Sequence, residues 1–132
     1  MVFDEKLFDY SAEALYTMEG ALEHPFPDFF DQHRHVCTIA HLPAAMILVQ
    51  TAGHKICHWC HKAGGRPSWN DEPGGPLWDG QLGFSKGRWQ LWRERFLALS
   101  GNTSLSKQCR DGAWRAADTM SDIEQSSSHV QV

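Results

Sequence analysis

The 132-residue sequence predicts an all-α fold, a compact bundle of four to five helices with one long ordered loop. Apolar residues recur at helical spacing in several separate segments, which is the primary sequence signal of amphipathic helices. No segment shows the strict alternation of apolar and polar residues that is typical of a half-buried strand. A single stretch rich in glycine, proline and tryptophan interrupts the helical pattern, and it defines the loop.

The first predicted helix runs from Ser11 to Leu22, and its start could lie as early as Asp4. Met18 and the other apolar residues of this segment share one helical face. The His-Pro-Phe-Pro segment at residues 24–27 ends the helix, because proline lacks the amide hydrogen and restricts the residue before it.

A second helical region extends from Asp28 to Lys62. Pro43 is the one proline within it, and a proline inside a helix removes a backbone hydrogen bond. We therefore expect Pro43 to kink one helix, or to divide two helices near His41.

The long loop follows Lys62 and reads "AGGRPSWNDEPGGPLWDGQLG". Loops of this length are usually either functional or disordered. Trp69, Leu77 and Trp78 favour an ordered loop that packs on the helices. We expect any small-molecule site to lie where this loop covers the bundle.

Two further helices are predicted after the loop. Ser85 is a typical N-cap for a helix that continues through Leu99, and Gly101 follows as a typical end signal. The apolar stripe of this helix consists of Trp89, Trp92, Phe96 and Leu99. A last helix is expected from about Ser104 to Gln125, again with one apolar face.

Length, charge and hydropathy limit the classes of function. One helical domain is expected over residues 1–125, followed by a flexible C-terminal tail of residues 126–132. Twelve scattered Lys and Arg residues against sixteen Asp and Glu give a charge of −4, so no nucleic-acid partner is expected. The longest mainly apolar run, Leu42 to Val49, is too short to span a bilayer. The acidic N-terminal segment is not typical of a secretory signal, and we expect a cytoplasmic protein with no membrane partner.

The segment "HKICHWCHK" is the most distinctive cluster of potential ligands. Cys57, Cys60 and His61 match the C-x-x-C-H pattern of c-type haem attachment. A zinc site is an alternative, with a fourth ligand from the set His33, His35, Cys37 and His41. A cysteine nucleophile is another alternative, either Cys57 with His61 or His54, or Cys37 with His41. The cluster lies within a continuous amphipathic pattern and matches no zinc motif, so we favour core cysteines and expect no cofactor and no metal.

Six tryptophans are a large number for a chain of this length. They indicate an aromatic core, a cavity for an apolar ligand, or a homodimer interface. The residues expected to line a ligand pocket are Met46, Trp59, Trp69, Trp78, Trp89 and Trp92.

Three stretches resemble a known group of proteins. They are Leu-Trp-Asp-Gly at residues 77–80, "RWQLWRERF" at residues 88–96 and "AWRAADTMSDIE" at residues 113–124. Over about the last two thirds of the chain, the sequence resembles a fungal group of uncharacterised small helical proteins. This resemblance implies a helical fold and transfers no catalytic residue, because the group has no known catalytic motif. In size and character only, the sequence is also similar to cofactor-free fungal cyclases, including the norbornene-forming Diels–Alderase of sordarin-type biosynthesis.

The leading functional hypothesis is a protein of fungal secondary metabolism that binds a hydrophobic small molecule in a Trp-lined pocket. It would promote a cofactor-independent cyclisation or isomerisation by holding the substrate near its reactive conformation beside one hydrogen-bond donor. The expected donors are His41, His54, Tyr16 and Arg88. The alternative is a non-catalytic module that binds a ligand or forms a homodimer, and a Cys/His metal site is a lesser alternative.

Overall fold

The computed structural model describes residues 11–23, 30–31, 36–61, 77–78 and 83–130 of the chain. The elements within these ranges are α1 (Ser11–Leu22), β1 (Phe30–Asp31), β2 (Val36–Cys37), α2 (Thr38–His61), α3 (Lys86–Ser100) and α4 (Lys107–Val130). The predicted all-α fold is confirmed, since four helices hold most of the described residues. Most of the predicted loop, with the candidate ligand residue Trp69, lies outside the described ranges.

The strands β1 and β2 form a short antiparallel ladder before α2. Phe30 pairs with Cys37, and Asp31 pairs with Val36. This stretch belongs to the region predicted as helical, so the helix begins at Thr38 rather than near Asp28. Strands of two residues are too short to leave an alternating pattern in the sequence.

The bend in α2 does not lie at its proline. The helix passes through Pro43, so the predicted division into two helices near His41 is wrong. Pro43 is the sixth residue of α2 and removes only one early backbone hydrogen bond. Two helical halves meet instead at Ala52, whose φ of −131° and ψ of 15° are not helical. The next residue is Gly53, where an added Cβ would lie 2.6 Å from Cδ1 of Ile123, so the bend coincides with a close approach of α4.

The core lies where the four helices meet. α2 packs between α1 and α4, and α3 packs mainly against α4. The large buried apolar residues are Leu15, Met18, Leu22, Leu42, Val49, Ile56, Trp59, Phe84, Trp89, Trp92, Phe96, Leu99, Leu105, Met120 and Ile123. No helix in the described ranges is long and apolar enough to cross a membrane.

Helix α3 begins and ends close to the predicted positions. The Oγ of Ser85 accepts a hydrogen bond from the backbone N–H of Arg88 at 3.2 Å, so Ser85 is the N-cap. The helix ends at Ser100, and the following N–H of Gly101 donates to the carbonyl of Ala98 at 3.2 Å. All four residues of the predicted apolar stripe are buried.

Helix α4 is longer at its C-terminal end than the sequence predicts. It begins at Lys107, after the N-cap Ser106, rather than at Ser104. It continues past Gln125 through residues 126–130, which were predicted to belong to the flexible tail. These residues include no glycine or proline, so no helix-breaking residue ends α4 at the predicted position.

We expect Trp92→Ala to lower the free energy of unfolding by about 3 to 5 kcal/mol, the range for deleting a large core aromatic residue. Trp92 has 0 % exposure, whereas Trp114 on α4 has 53 % and is the matched control. Trp114→Ala should cost less than about 1 kcal/mol in the same urea denaturation experiment. Equal losses for the two variants would contradict the placement of α3 in the core.

Candidate functional site

Glu23 and Arg88 form an ion pair in the interior of the bundle, where both residues have 0 % exposure. The Nε of Arg88 lies 2.6 Å from Oε2 of Glu23, and its Nη2 lies 2.8 Å from Oε1, so the pairing is bidentate. The indole Nε1 of Trp92 donates to the same Oε2 at 2.7 Å. Glu19 adds a longer contact of 3.4 Å to Nη2. Three short hydrogen bonds thus stabilise one buried carboxylate.

The same two residues also bind the described part of the loop. Nη1 of Arg88 donates to the carbonyl of Gly83 at 3.0 Å, and the N–H of Leu77 donates to the carbonyl of Glu23 at 2.8 Å. The ring of Trp78, a predicted ligand residue, covers the guanidinium with its centroid 5.7 Å from Cζ. Arg88 was predicted to donate to a ligand, but these bonds engage it inside the protein and favour a structural role.

The other three predicted donors lie on α1 and α2. The rings of Tyr16 and His41 meet edge to face with centroids 5.5 Å apart. Gly20 lies directly against His41, since an added Cβ would be 2.9 Å from Cδ2 of the imidazole. His54 is exposed thirteen residues further along α2, which is about 20 Å at 1.5 Å per residue. The structure therefore brings Tyr16 and His41 together, but it does not bring His54 or Arg88 to them.

Three of the predicted pocket tryptophans are core residues. Trp59, Trp89 and Trp92 have 6 %, 1 % and 0 % exposure. Phe84 joins two of them, with centroids 5.0 Å from Trp59 and 6.1 Å from Trp92. The indole of Trp89 donates to Oε1 of Glu124 on α4 at 3.0 Å. Their rings pack in the core of the bundle, and their role in a ligand pocket stays a prediction.

The cysteines of the C-x-x-C-H segment are also buried, as predicted for core residues. Cys57 and Cys60 have 2 % and 1 % exposure, and burial raises the pKa of the Cys60 thiol. The Nδ1 of His61 lies 2.9 Å from the carbonyl of Cys57 and 3.5 Å from its Sγ. Because a carbonyl only accepts, Nδ1 bears the proton and does not act as a base for Cys57. Within the described ranges, no group of three or more His, Cys, Asp or Glu side chains could hold a metal ion.

Two surface grooves lie on either side of Ile47 on α2. The α1–α2 groove has a volume of about 360 Å³ and is lined by Glu13, Ala14, Thr17, Ala44, Ile47, Leu48 and Thr51. The α2–α4 groove has a volume of about 570 Å³ and is lined by Pro43, Met46, Ile47, Gln50, Gln108, Gly112, Arg115, Asp118 and Thr119. Ile47 belongs to both grooves and is 63 % exposed. We call Ile47 together with the two grooves the Ile47 face.

Met46 is the predicted ligand residue that lies in the Ile47 face. Its Sδ is 2.8 Å from the position of a Cβ added at Gly112, so its side chain lies directly over α4. Sequence reasoning missed Ile47 itself, although a signal was present. Every residue from Leu42 to Val49 is apolar, which is more than one buried stripe of a helix requires. The excess is the sequence signal of an exposed apolar face.

Residues 2–96 match the family described as "Protein of unknown function (DUF3632)", and the chain belongs to this family. The match agrees with the expected relation to uncharacterised proteins, although it covers residues 2–96 rather than the last two thirds of the chain. Comparison with curated proteins and with solved structures gives no match. The matched region includes Glu23, Arg88 and Ile47, whereas α4 lies beyond it. The α2–α4 groove therefore combines a helix of the family region with a helix outside it.

We expect Glu23→Gln to lower the free energy of unfolding by about 3 to 5 kcal/mol, because it leaves the buried charge of Arg88 without its main partner. Asp111→Asn is the matched control. It breaks an exposed ion pair with Lys107 of 3.0 Å and should leave the urea midpoint nearly unchanged. If the two variants shifted the midpoint equally, the buried pair would not have the structural role described.

Proposed function

We propose that the protein is a non-catalytic binding module whose Ile47 face binds an apolar partner. The observation that supports this most is the position of Ile47, 63 % exposed between two grooves on the central helix. Single exposed apolar residues are common on protein surfaces and need no explanation. Here Pro43 and Ala44 are exposed beside Ile47, so the apolar surface is contiguous. Contiguous apolar patches in grooves are typical of interaction sites.

The arrangement of polar groups favours binding over catalysis. A cofactor-independent cyclisation needs a donor aimed into the cavity that holds the substrate. Arg88 is engaged by the buried carboxylate, and neither His41 nor His54 lines either groove. Cyclisation or isomerisation in fungal secondary metabolism therefore stays a prediction, supported by the sequence resemblance and by the pairing of Tyr16 with His41. A cytoplasmic location stays a prediction as well.

A hydrophobic small molecule is a second candidate occupant of the same face. The volume of the α2–α4 groove, about 570 Å³, is within the usual range of ligand pockets. Met46 provides an adaptable apolar surface there, and Gln50 with Thr119 provides polar groups at 3.1 Å from each other. This candidate retains the predicted ligand class but places it away from the tryptophans.

We expect Ile47→Asp to reduce the binding of the apolar dye anilinonaphthalene sulfonate several-fold, because it introduces a charge into both grooves. The measurement is a fluorescence titration, with melting temperature recorded for each variant. Leu97→Asp is the matched control, since Leu97 is 46 % exposed on α3 and lies outside the face. Equal dye binding by the two variants would mean that the Ile47 face is not the apolar binding site.

A further inference from the structure

On the basis of the proposed function, we propose that the partner of the Ile47 face is a second copy of this chain. The two α2 helices lie side by side and parallel, related by a two-fold axis that runs along them. Ile47 of each copy enters the α2–α4 groove of the other, and Glu13 of each copy faces Arg115 of the other. Two considerations lead to this arrangement. The first is the position of each charged residue along the axis of α2, here called its level. The second is the symmetry of dimers.

The level of Glu13 follows from the packing of α1 on α2. Gly20 lies opposite His41, and α1 runs antiparallel to α2. Glu13 is seven residues earlier in α1, which places it near Leu48, seven residues further along α2. Both residues line the α1–α2 groove, in agreement with this level.

The level of Arg115 follows from the packing of α4 on the other side of α2. Gly112 lies opposite Met46, and Thr119 bonds to Gln50, so α4 runs in the same direction as α2. Arg115 lies between Gly112 and Thr119 along α4, and therefore between the levels of Met46 and Gln50. Glu13 on one side of α2 and Arg115 on the other side thus lie at similar positions along α2, with the acidic residue Asp118 beside Arg115 in the α2–α4 groove.

The symmetry of a dimer then distinguishes two arrangements. A two-fold axis across α2 makes the helices antiparallel and places Glu13 against Glu13, and Arg115 against Arg115. A two-fold axis parallel to α2 leaves each residue at its level but exchanges the α1 side and the α4 side of α2. Each Glu13 therefore meets an Arg115 of the other copy. Like charges in contact oppose association and opposite charges favour it. Neither residue forms a salt bridge among the described residues, although Arg115 interacts electrostatically with Asp111 one turn earlier in α4.

Shape favours the same arrangement. When the axis passes between Ile47 and the α2–α4 groove, each Ile47 lies over the groove of the other copy. The groove volume of about 570 Å³ is ample for one isoleucine side chain. The face covers the stretch from Pro43 to Thr51, about 12 Å of helix, which is small for a protein interface. We therefore expect a weak, reversible dimer.

The test is sedimentation equilibrium of the full chain over a range of concentrations, with variants that exchange charges. Glu13→Arg should weaken the dimer by roughly tenfold or more, because it places two positive charges together at each contact. The double variant Glu13→Arg with Arg115→Glu should restore the wild-type dissociation constant. Glu94→Arg makes the same change at an exposed site on α3 and should have no effect. Failure of the double variant to restore association would overturn the parallel arrangement.

Dye binding separates this inference from the proposed function. If the second copy covers the face, the dye bound per chain at equal dye excess should fall as the protein concentration rises into the dimer range. A chain that stays monomeric at every concentration, while its dye binding still depends on Ile47, would overturn the dimer and leave the binding module intact. A dimer that persists in Ile47→Asp would place its interface elsewhere and overturn this inference.

Discussion

The buried ion pair between Glu23 and Arg88 is the interaction on which the arrangement of the other elements depends. Removing two charges from water costs several kcal/mol per ion, about as much as their attraction returns, so a buried pair gains little net stability. Its effect is on specificity, because any other packing of α1 against α3 would leave a buried charge without a partner. The indole of Trp92 and the carbonyl of Gly83 satisfy further atoms of the pair, and they fix the start of α3 as well. The predicted N-cap Ser85 lies in the same short stretch.

Contacts with charged groups hold three of the tryptophans in place. Trp92 donates to the buried carboxylate, Trp78 covers the guanidinium, and Trp89 reaches across to α4. Each of these three aromatic rings has a polar or charged neighbour that fixes its orientation. Among the described residues, the most exposed large apolar side chain is the aliphatic Ile47 on α2. The described interior is thus organised by aromatic and charged groups, and the proposed binding face lies outside it on α2.

Local features could be predicted from the sequence and long-range ones could not. The N-cap and apolar stripe of α3 are encoded within fifteen residues, so their prediction succeeded. The prediction of a break at Pro43 was wrong because the effect of a proline depends on its position within the helix. That position depends on where the helix begins, and the two-residue ladder moves the start of α2 later in the sequence. Glu23 and Arg88 are 65 residues apart, and no local pattern connects them. The same holds for Ile47, since exposure is decided by which faces of α2 the helices α1 and α4 cover.

The most direct test of this account is a double-mutant cycle between Glu23 and Arg88, using Glu23→Leu, Arg88→Met and both together. The measured quantity is the coupling free energy from urea denaturation of the four proteins. Each single variant leaves one buried charge, whereas the double variant leaves none, so the two losses should not add. We expect the double variant to be more stable than the sum of the single losses implies, with a coupling of about 3 kcal/mol. Additive losses, with a coupling near zero, would contradict the central role of the pair.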